Sequence, residues 1–125
     1  MSEVKYLYTK DHEWVKIDQD NAIIGITDFA QGELGDIIFI ELPKVGDKFN
    51  KGDIFGTIEA VKTVADLFMP ISGTIAELNV EIENSPELVN NDALNNGWII
   101  KIKIDDIEEL SSLLSAAEYK KIIND

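Results

Sequence analysis

Apolar and polar residues alternate with a period of two along much of this chain, a pattern typical of half-buried β-strands. The clearest example is residues 54–60, and a second stretch, residues 64–69, is rich in Val, Leu and Phe. The second stretch stops at Pro70, which cannot donate a hydrogen bond to a strand ladder. One face of the first stretch is predicted to carry Ile54, Gly56, Ile58 and Ala60. Together the two stretches predict a β-hairpin whose tip presents Lys62 to solvent.

Six further stretches have the pattern or the composition of strands. They are residues 6–9, 11–17, 22–26, 36–42, 74–78 and 97–104. Residues 36–42 are the most apolar of these and are predicted to lie in the centre of a sheet. Within residues 11–17, Glu13 is predicted to face the opposite side from Trp14.

Capping residues predict short helices between the strands. A helix over residues 27–31 is expected to end at Gly32 or Gly35. A second short helix is predicted over residues 86–90, with Ser85 as its N-cap. The helices are therefore expected to be small and to lie at the edges of a β-rich fold.

The C-terminal segment changes to a helical pattern from Asp106 onward. Ser115 and Glu118 form a capping-box pattern, which predicts two helices with a break near Ser115. The apolar stripe of this segment consists of Leu110, Leu113, Leu114 and Ala117. We expect this stripe to pack on its own domain rather than on a partner, because most amphipathic helices are stabilised in that way.

Many short strands separated by turns predict a mainly β fold, a flattened barrel or sandwich with short peripheral helices and a C-terminal helical segment. The chain has 125 residues, which fits a single domain spanning residues 1–125.

Charge and composition narrow the classes of partner. With 24 acidic residues against 11 Lys and Arg, the formal net charge is −13, which disfavours nucleic acid and anionic membranes as partners. The chain has no Cys, so a disulfide framework and a thiolate metal site are excluded. The N-terminal residues lack the profile of a signal peptide, and no apolar run approaches the ~20 residues of a spanning helix. We therefore expect a cytoplasmic protein.

Catalytic motifs are missing from the sequence. His12 is the only histidine, and its neighbour Glu13 is expected to point away from it, so the two do not form an acid–base pair. Nucleophile-elbow, phosphate-loop and dinucleotide-binding patterns are not found either. The chain is accordingly predicted to be non-catalytic.

Lys62 is the residue most open to a functional interpretation. An exposed lysine at a hairpin tip is most often a solubilising charge that protects a sheet edge. Here, however, the surrounding segment is Glu59-Ala60-Val61-Lys62-Thr63-Val64-Ala65-Asp66-Leu67, followed by Pro70-Ile71-Ser72-Gly73. This segment resembles the lipoylated-lysine segment of the glycine cleavage system H protein family. The resemblance implies that Lys62 carries lipoate in amide linkage.

The resemblance extends over nearly the whole chain. Further matching segments, in family order, are residues 8–15, 25–31, 34–37, 41–43, 45–47, 86–90, 97–98 and 101–103, with an acidic C-terminal helix. The lysine segment alone is less specific, because lipoyl and biotinyl carrier domains both place a lysine on a hairpin. A biotin carrier normally has methionines on both sides of its lysine, whereas Val61 and Thr63 flank Lys62 here.

The family resemblance also implies a mechanism and a set of partners. A pyridoxal-phosphate glycine decarboxylase would load an aminomethyl group onto the lipoyl arm, and an aminomethyltransferase would move its carbon to tetrahydrofolate. A flavin- and NAD-dependent dihydrolipoamide dehydrogenase would then re-form the dithiolane. A lipoate ligase, or a lipoyl or octanoyl transferase, would attach the arm. The chain is expected to act as a monomer.

Three carboxylates are candidates for roles around the arm. Glu13 and Asp66 match family positions and are hypothesised to hold the cationic amine when the arm folds back, although they could equally be ordinary surface charges. Glu59 is hypothesised to help the lipoate-attaching enzyme recognise the hairpin.

Three departures from the family pattern leave a second function open. The loop 92–98 lacks the usual Pro-Tyr pair, Phe68-Met69 precedes the proline, and Thr63 replaces a common Ala. These differences are compatible with an H-like protein that donates lipoyl or octanoyl groups in lipoate metabolism. An unmodified interaction domain is the third alternative.

Overall fold

A computed structural model describes residues 5–124, which form nine strands, four α-helices and one 3₁₀ helix. The strands are β1 Lys5–Tyr8, β2 Glu13–Asp18, β3 Asn21–Ile26, β4 Ile37–Glu41, β5 Lys48–Phe49, β6 Ile54–Ala60, β7 Val64–Phe68, β8 Gly73–Leu78 and β9 Ile100–Ile104. The helices are α1 Asp28–Leu34, α2 Glu81–Asn84, α3 Leu88–Asn91, the 3₁₀ helix Ile107–Ser112 and α4 Ala116–Asn124.

The strands form two antiparallel sheets. The larger sheet has six strands in the order β1-β2-β3-β9-β8-β5, and the smaller has three in the order β4-β6-β7. The sheets share a hydrophobic core, because alternate residues of strands in both point to the same interior. The large, fully buried members are Val15, Ile24, Ile75, Ile100 and Ile102 from the larger sheet and Ile58 from the smaller sheet. This arrangement confirms the predicted mainly β fold with peripheral helices.

The smaller sheet differs from expectation in the position of its most apolar strand. The prediction that residues 36–42 are central is wrong, because β4 is an edge strand and Ile38 and Phe39 are exposed. A register irregularity between Ile37 and Phe39 interrupts the pairing of β4 with β6. The apolar run therefore leaves two large side chains on the surface.

A second irregularity exchanges the predicted orientations of the first two residues of β6. The register of β6 against β7 shifts between Ile54 and Gly56, which is the effect of a β-bulge. As a result Phe55 is buried and Ile54 is exposed, the opposite of the simple alternation. From Gly56 to Ala60 the predicted alternation holds.

The helices are partly as expected. Thr27 caps α1 by accepting a hydrogen bond from the amide of Ala30, and the helix runs beyond Gln31 to end at Gly35. The N-cap prediction for Ser85 is wrong, because Ser85 instead follows α2, a helix that the sequence did not indicate, and α3 begins only at Leu88.

The C-terminal segment packs on its own domain, as predicted, through Leu113 of the predicted stripe, although Ala117 of that stripe is exposed. Ser115 and Glu118 form the capping box reciprocally, with N···O distances of 2.9 and 3.2 Å. Tyr119 of α4 is buried, stacks on Tyr8 at a centroid distance of 4.9 Å, and bonds His12 Nδ1 through its hydroxyl at 2.8 Å. No helix within residues 5–124 is both long enough and apolar enough to cross a membrane.

Candidate functional site

The tip of the β6–β7 hairpin presents Lys62, as the sequence predicted. Its backbone is closed by a 2.8 Å hydrogen bond from the Ala60 amide to the Thr63 carbonyl. A second bond of 3.0 Å joins the Val61 amide to the Asp36 carbonyl, which ties the tip to the segment between α1 and β4. Lys62 is itself exposed, and no ion pair among residues 5–124 involves it.

Gly35 provides the surface on which the Lys62 side chain lies. A β-carbon added at Gly35 would be 3.3 Å from Cε of Lys62 and 3.8 Å from its Nζ. The backbone of Gly35 has φ 80° and ψ −156°, a conformation that is nearly restricted to glycine. The same residue therefore ends α1 and leaves room for the lysine stem.

Asn90 on α3 holds this supporting segment in place. Its side-chain amide donates to the Gly35 carbonyl and to Gln31 Oε1, each at 2.9 Å. Its carbonyl oxygen accepts from the Ile37 amide at 3.0 Å. Both N–H donors of the side-chain amide and one of the two lone pairs of its oxygen are used. Asn90 therefore holds in place the segment against which the tip rests.

Glu13 is a buried residue rather than a surface charge. Its side chain is on the same face of β2 as the core residue Val15, and only 2% of its surface is exposed. One carboxyl oxygen accepts from the Phe68 amide at 2.8 Å, and the other receives a longer bond of 3.4 Å from Thr9. Glu13 thus links β2 of the larger sheet to the outer edge of β7.

Burial changes the acid–base behaviour of this carboxyl group. Removal from water raises the pKa of Glu13 from 4.5 to about 8, and the nearby charge of Asp11 adds to the rise. The hydrogen bonds from Phe68 and Thr9 act in the opposite direction but are outweighed. In the unmodified chain, Glu13 is therefore mostly neutral at pH 7.

Asp66 and Glu59 have a different setting from Glu13. Both are exposed, and their positions in the strand register place them on the outward side of the smaller sheet. Asp66 is a residue of β7 itself, whereas Glu13 of β2 contacts β7 by accepting a hydrogen bond from the Phe68 amide. Both carboxyl groups are therefore close to β7, but no hydrogen bond among residues 5–124 joins them.

A cavity of about 510 Å³ opens beside Glu13. Its lining includes the β1–β2 turn, Lys51, Met69 and Pro70, and residues from the middle and the end of the C-terminal segment. The residues that line it from the C-terminal segment are Ser112, Leu113, Leu114 and Ile122. Asp66 is not part of the lining, so of the two candidate carboxylates only Glu13 borders this cavity.

His12 does not pair with Glu13, although the reason differs from the expected one. His12 precedes β2, in a turn with φ 68°, so strand alternation does not apply to it. Its ring bonds Tyr119 and packs at 4.8 Å from the ring of Phe29. The only histidine of the chain therefore serves the docking of α4.

Sequence reasoning missed the supporting roles of Gly35 and Asn90. Each residue was expected only at the end of a short helix and as part of a segment that matches the family. Asn90 lies 53 to 59 positions from its partners along the chain, so no local pattern signals these contacts.

Comparison with known proteins decides the family. The model of the glycine cleavage H-protein family matches residues 6–125. The chain belongs to the glycine cleavage H-protein family.

Individual relatives agree with this membership. The glycine cleavage system H protein of Staphylococcus haemolyticus is 50% identical over 124 residues, covering 99% of this chain and 97% of the relative. That of Staphylococcus epidermidis is 51% identical over 121 residues, covering 97% and 96%. The crystal structure of a glycine cleavage system H protein from Mycobacterium marinum matches with a TM-score of 0.89 at 33% identity, covering 98% of this chain and 99% of that one. The resemblance drawn from the sequence is thereby confirmed, and a carrier in glycine cleavage is favoured over a lipoyl donor.

Proposed function

We propose that Lys62 carries lipoate in amide linkage and that the chain works as the lipoyl carrier of glycine cleavage. The observation that carries this proposal is an exposed lysine at a hairpin tip in a member of the glycine cleavage H-protein family. When bound, the lipoyl group would supply a dithiolane that accepts and releases the amine-bearing carbon of glycine. The chain itself is proposed to be non-catalytic and to provide attachment and positioning.

The surroundings of Lys62 suit such an attachment. The amine is exposed to an attaching enzyme, and the side chain rests on a glycine, which leaves room for the lysine stem. Amide formation also removes the positive charge of the lysine, which allows the extended side chain to lie against apolar surface.

The cavity beside Glu13 is proposed to receive the end of the arm. β7 rises about 13 Å from Val64, close to the tip, to Phe68, which precedes the cavity lining, so the arm would have to extend along this strand to reach the cavity. Glu13 borders the cavity together with Asp11, Lys10 and Lys51, and burial keeps its carboxyl group mostly neutral. A cationic amine close to its carboxyl group would favour the ionised form and create an ion pair out of water.

Glu13 is therefore a stronger candidate than Asp66 for holding the amine. Loss of lifetime of the amine-loaded carrier in Glu13→Gln, with Lys62 still lipoylated, would support this assignment. Asp66→Asn provides the comparison, since Asp66 is exposed and lies outside the cavity lining. Equal lifetimes in the wild type and in both variants would refute a role for either carboxylate.

Glu59 is proposed to contribute to recognition by the lipoate-attaching enzyme. It is exposed on β6 and pairs in register with Val64, close to the tip. Slower lipoylation of Glu59→Ala at unchanged thermal stability is the expected result, and an unchanged rate would remove Glu59 from the recognition surface.

The partners proposed for the modified chain are those that the family implies. They are the pyridoxal-phosphate glycine decarboxylase, the tetrahydrofolate-dependent aminomethyltransferase and dihydrolipoamide dehydrogenase. A lipoate ligase, or a lipoyl or octanoyl transferase, is proposed for the attachment step.

The deciding experiment is the intact mass after incubation with lipoate, ATP and a lipoate ligase. One lipoyl increment on the wild type that disappears in Lys62→Arg is expected. Lys103→Arg, which alters another lysine with a side chain exposed in a strand, should keep the increment. Failure of the folded wild type to gain the increment would refute the attachment.

Reconstitution separates glycine cleavage from lipoate relay. The lipoylated chain, mixed with glycine decarboxylase, is expected to support exchange of bicarbonate with the carboxyl group of glycine. Transfer of the lipoyl group to another acceptor domain, without such exchange, would instead establish the donor function.

A further inference from the structure

The outward side of the smaller sheet has an ordered arrangement of apolar and acidic side chains. Residues paired across antiparallel strands point to the same side, so the register defines two rows across β4, β6 and β7. The row nearer the tip is Phe39, Glu59 and Val64, and the next row is Glu41, Thr57 and Asp66. These six residues form what we call the outer face.

The outer face is apolar next to the tip. Phe39 is 52% exposed and Val64 is 61% exposed, and they lie on either side of Glu59. Their neighbours Ile38 and Val61 are 55% and 72% exposed. Four of the ten exposed large apolar side chains in residues 5–124 therefore lie at this end of one sheet, and grouped exposure of this kind marks interaction surfaces.

All charged residues of the outer face are acidic. Glu41, Glu59 and Asp66 are carboxylates, and the three strands contain no Lys or Arg. The adjacent cation is Lys62, the residue to be modified. A second copy of the chain would bring the same three carboxylates against this face, and the net charge of −13 on each copy also opposes self-association.

We propose that the outer face is the docking surface for the enzyme that attaches lipoate, which presents an apolar patch bordered by basic side chains. The proposal rests on the proposed modification of Lys62. The apolar row would lie against the rim of that enzyme's active site, while its basic groups face Glu41 and Asp66. Docking in this way positions the tip lysine at the acyl donor and distinguishes this lysine from the other lysines of the chain.

Two variants test the surface without altering the tip. Glu41→Lys reverses a charge in the second row. Val64→Thr keeps the β-branched shape but replaces a methyl group of the apolar row with a hydroxyl. Glu83→Lys and Val80→Thr are matched controls, because Glu83 is exposed on α2 and Val80 is 62% exposed before it. Thermal unfolding of all four variants checks that the fold is retained.

The readout is the rate of lipoylation as a function of carrier concentration. Glu41→Lys is expected to raise KM for the carrier about tenfold with kcat nearly unchanged, and to weaken the salt dependence of kcat/KM. Val64→Thr should raise KM by a smaller factor, and both control variants should match the wild type.

The outcomes separate this inference from the attachment on which it rests. Absence of lipoylation in the wild type would refute the attachment at Lys62. Normal lipoylation of the wild type with unchanged KM in Glu41→Lys and Val64→Thr would overturn the docking surface alone. A concentration-dependent dimer of the wild type in sedimentation, disrupted by Val64→Thr, would assign the outer face to self-association and overturn the proposal as well.

Discussion

Glu13→Gln is expected to remove a large part of the pH dependence of folding stability. Glutamine has nearly the same shape and keeps an oxygen that accepts from the Phe68 amide, but it cannot ionise. In the wild type the buried carboxyl group has a pKa of about 8, against an ordinary value of 4.5. The folded state therefore holds a proton that the unfolded chain releases at lower pH.

The sign and size of the effect follow from this difference in pKa. Because the folded pKa is the higher one, the favourable contribution is complete below pH 4.5 and is lost as the pH rises through 8. Each pH unit by which the two pKa values differ is worth about 1.4 kcal/mol, so the total loss is roughly 5 kcal/mol. The free energy of unfolding of Glu13→Gln should stay higher than that of the wild type above pH 8, and the two should converge below pH 4.5.

Urea unfolding at pH values from 4 to 9 measures the difference directly, with tryptophan fluorescence, to which the buried Trp14 contributes, as the signal. The many exposed acidic groups contribute equally to both proteins and cancel in the comparison. Glu83→Gln, at an exposed glutamate, is the matched control and should follow the wild type. Parallel stability curves for the wild type and Glu13→Gln over the whole pH range would refute the burial argument.

Three further variants test the contacts that support the fold around the site. Asn90→Ala should lower the free energy of unfolding by about 2 kcal/mol in urea, because the Ile37 amide and the Gly35 carbonyl lose their partner; a loss below about 0.5 kcal/mol would contradict this role. Tyr119→Phe removes a hydroxyl with two side-chain partners and should cost about 1–2 kcal/mol, with faster amide exchange in α4; unchanged exchange would show that stacking alone docks the helix. Ser115→Ala should cost about 1 kcal/mol in thermal unfolding, and an unaltered midpoint would show that the capping box contributes nothing.

The hairpin and the C-terminal capping box were predictable because their signals are local. The alternation that predicts the hairpin spans residues 56–60, and the capping box joins Ser115 to Glu118, three positions apart. In both cases the structure agrees with the prediction. The position of Lys62 at the tip follows from the same local pattern.

Features that depend on contacts between distant segments were not predictable in this way. An apolar run identifies β4 as a strand but does not say whether a neighbour covers each side, so the run was wrongly expected to be central, whereas β4 is an edge strand with Ile38 and Phe39 exposed. Alternation likewise cannot show a bulge, which exchanges the environments of Ile54 and Phe55. The burial of Glu13 depends on β7, a strand more than 50 residues away.

The two backbone hydrogen bonds at the hairpin tip limit the movement of any group attached there. The tip is closed on itself by Ala60 and Thr63 and tied to Asp36 through Val61, so the backbone beneath Lys62 is a fixed pivot. If Lys62 carries the proposed lipoyl arm, motion of the arm would come from side-chain torsions, and the length of the arm would set the volume that its end samples. A fixed pivot keeps the local concentration of the carried group high at every surface within reach and near zero beyond it. The proposed partner enzymes would therefore have to bring their active sites to the tip, because the tip itself does not move toward them.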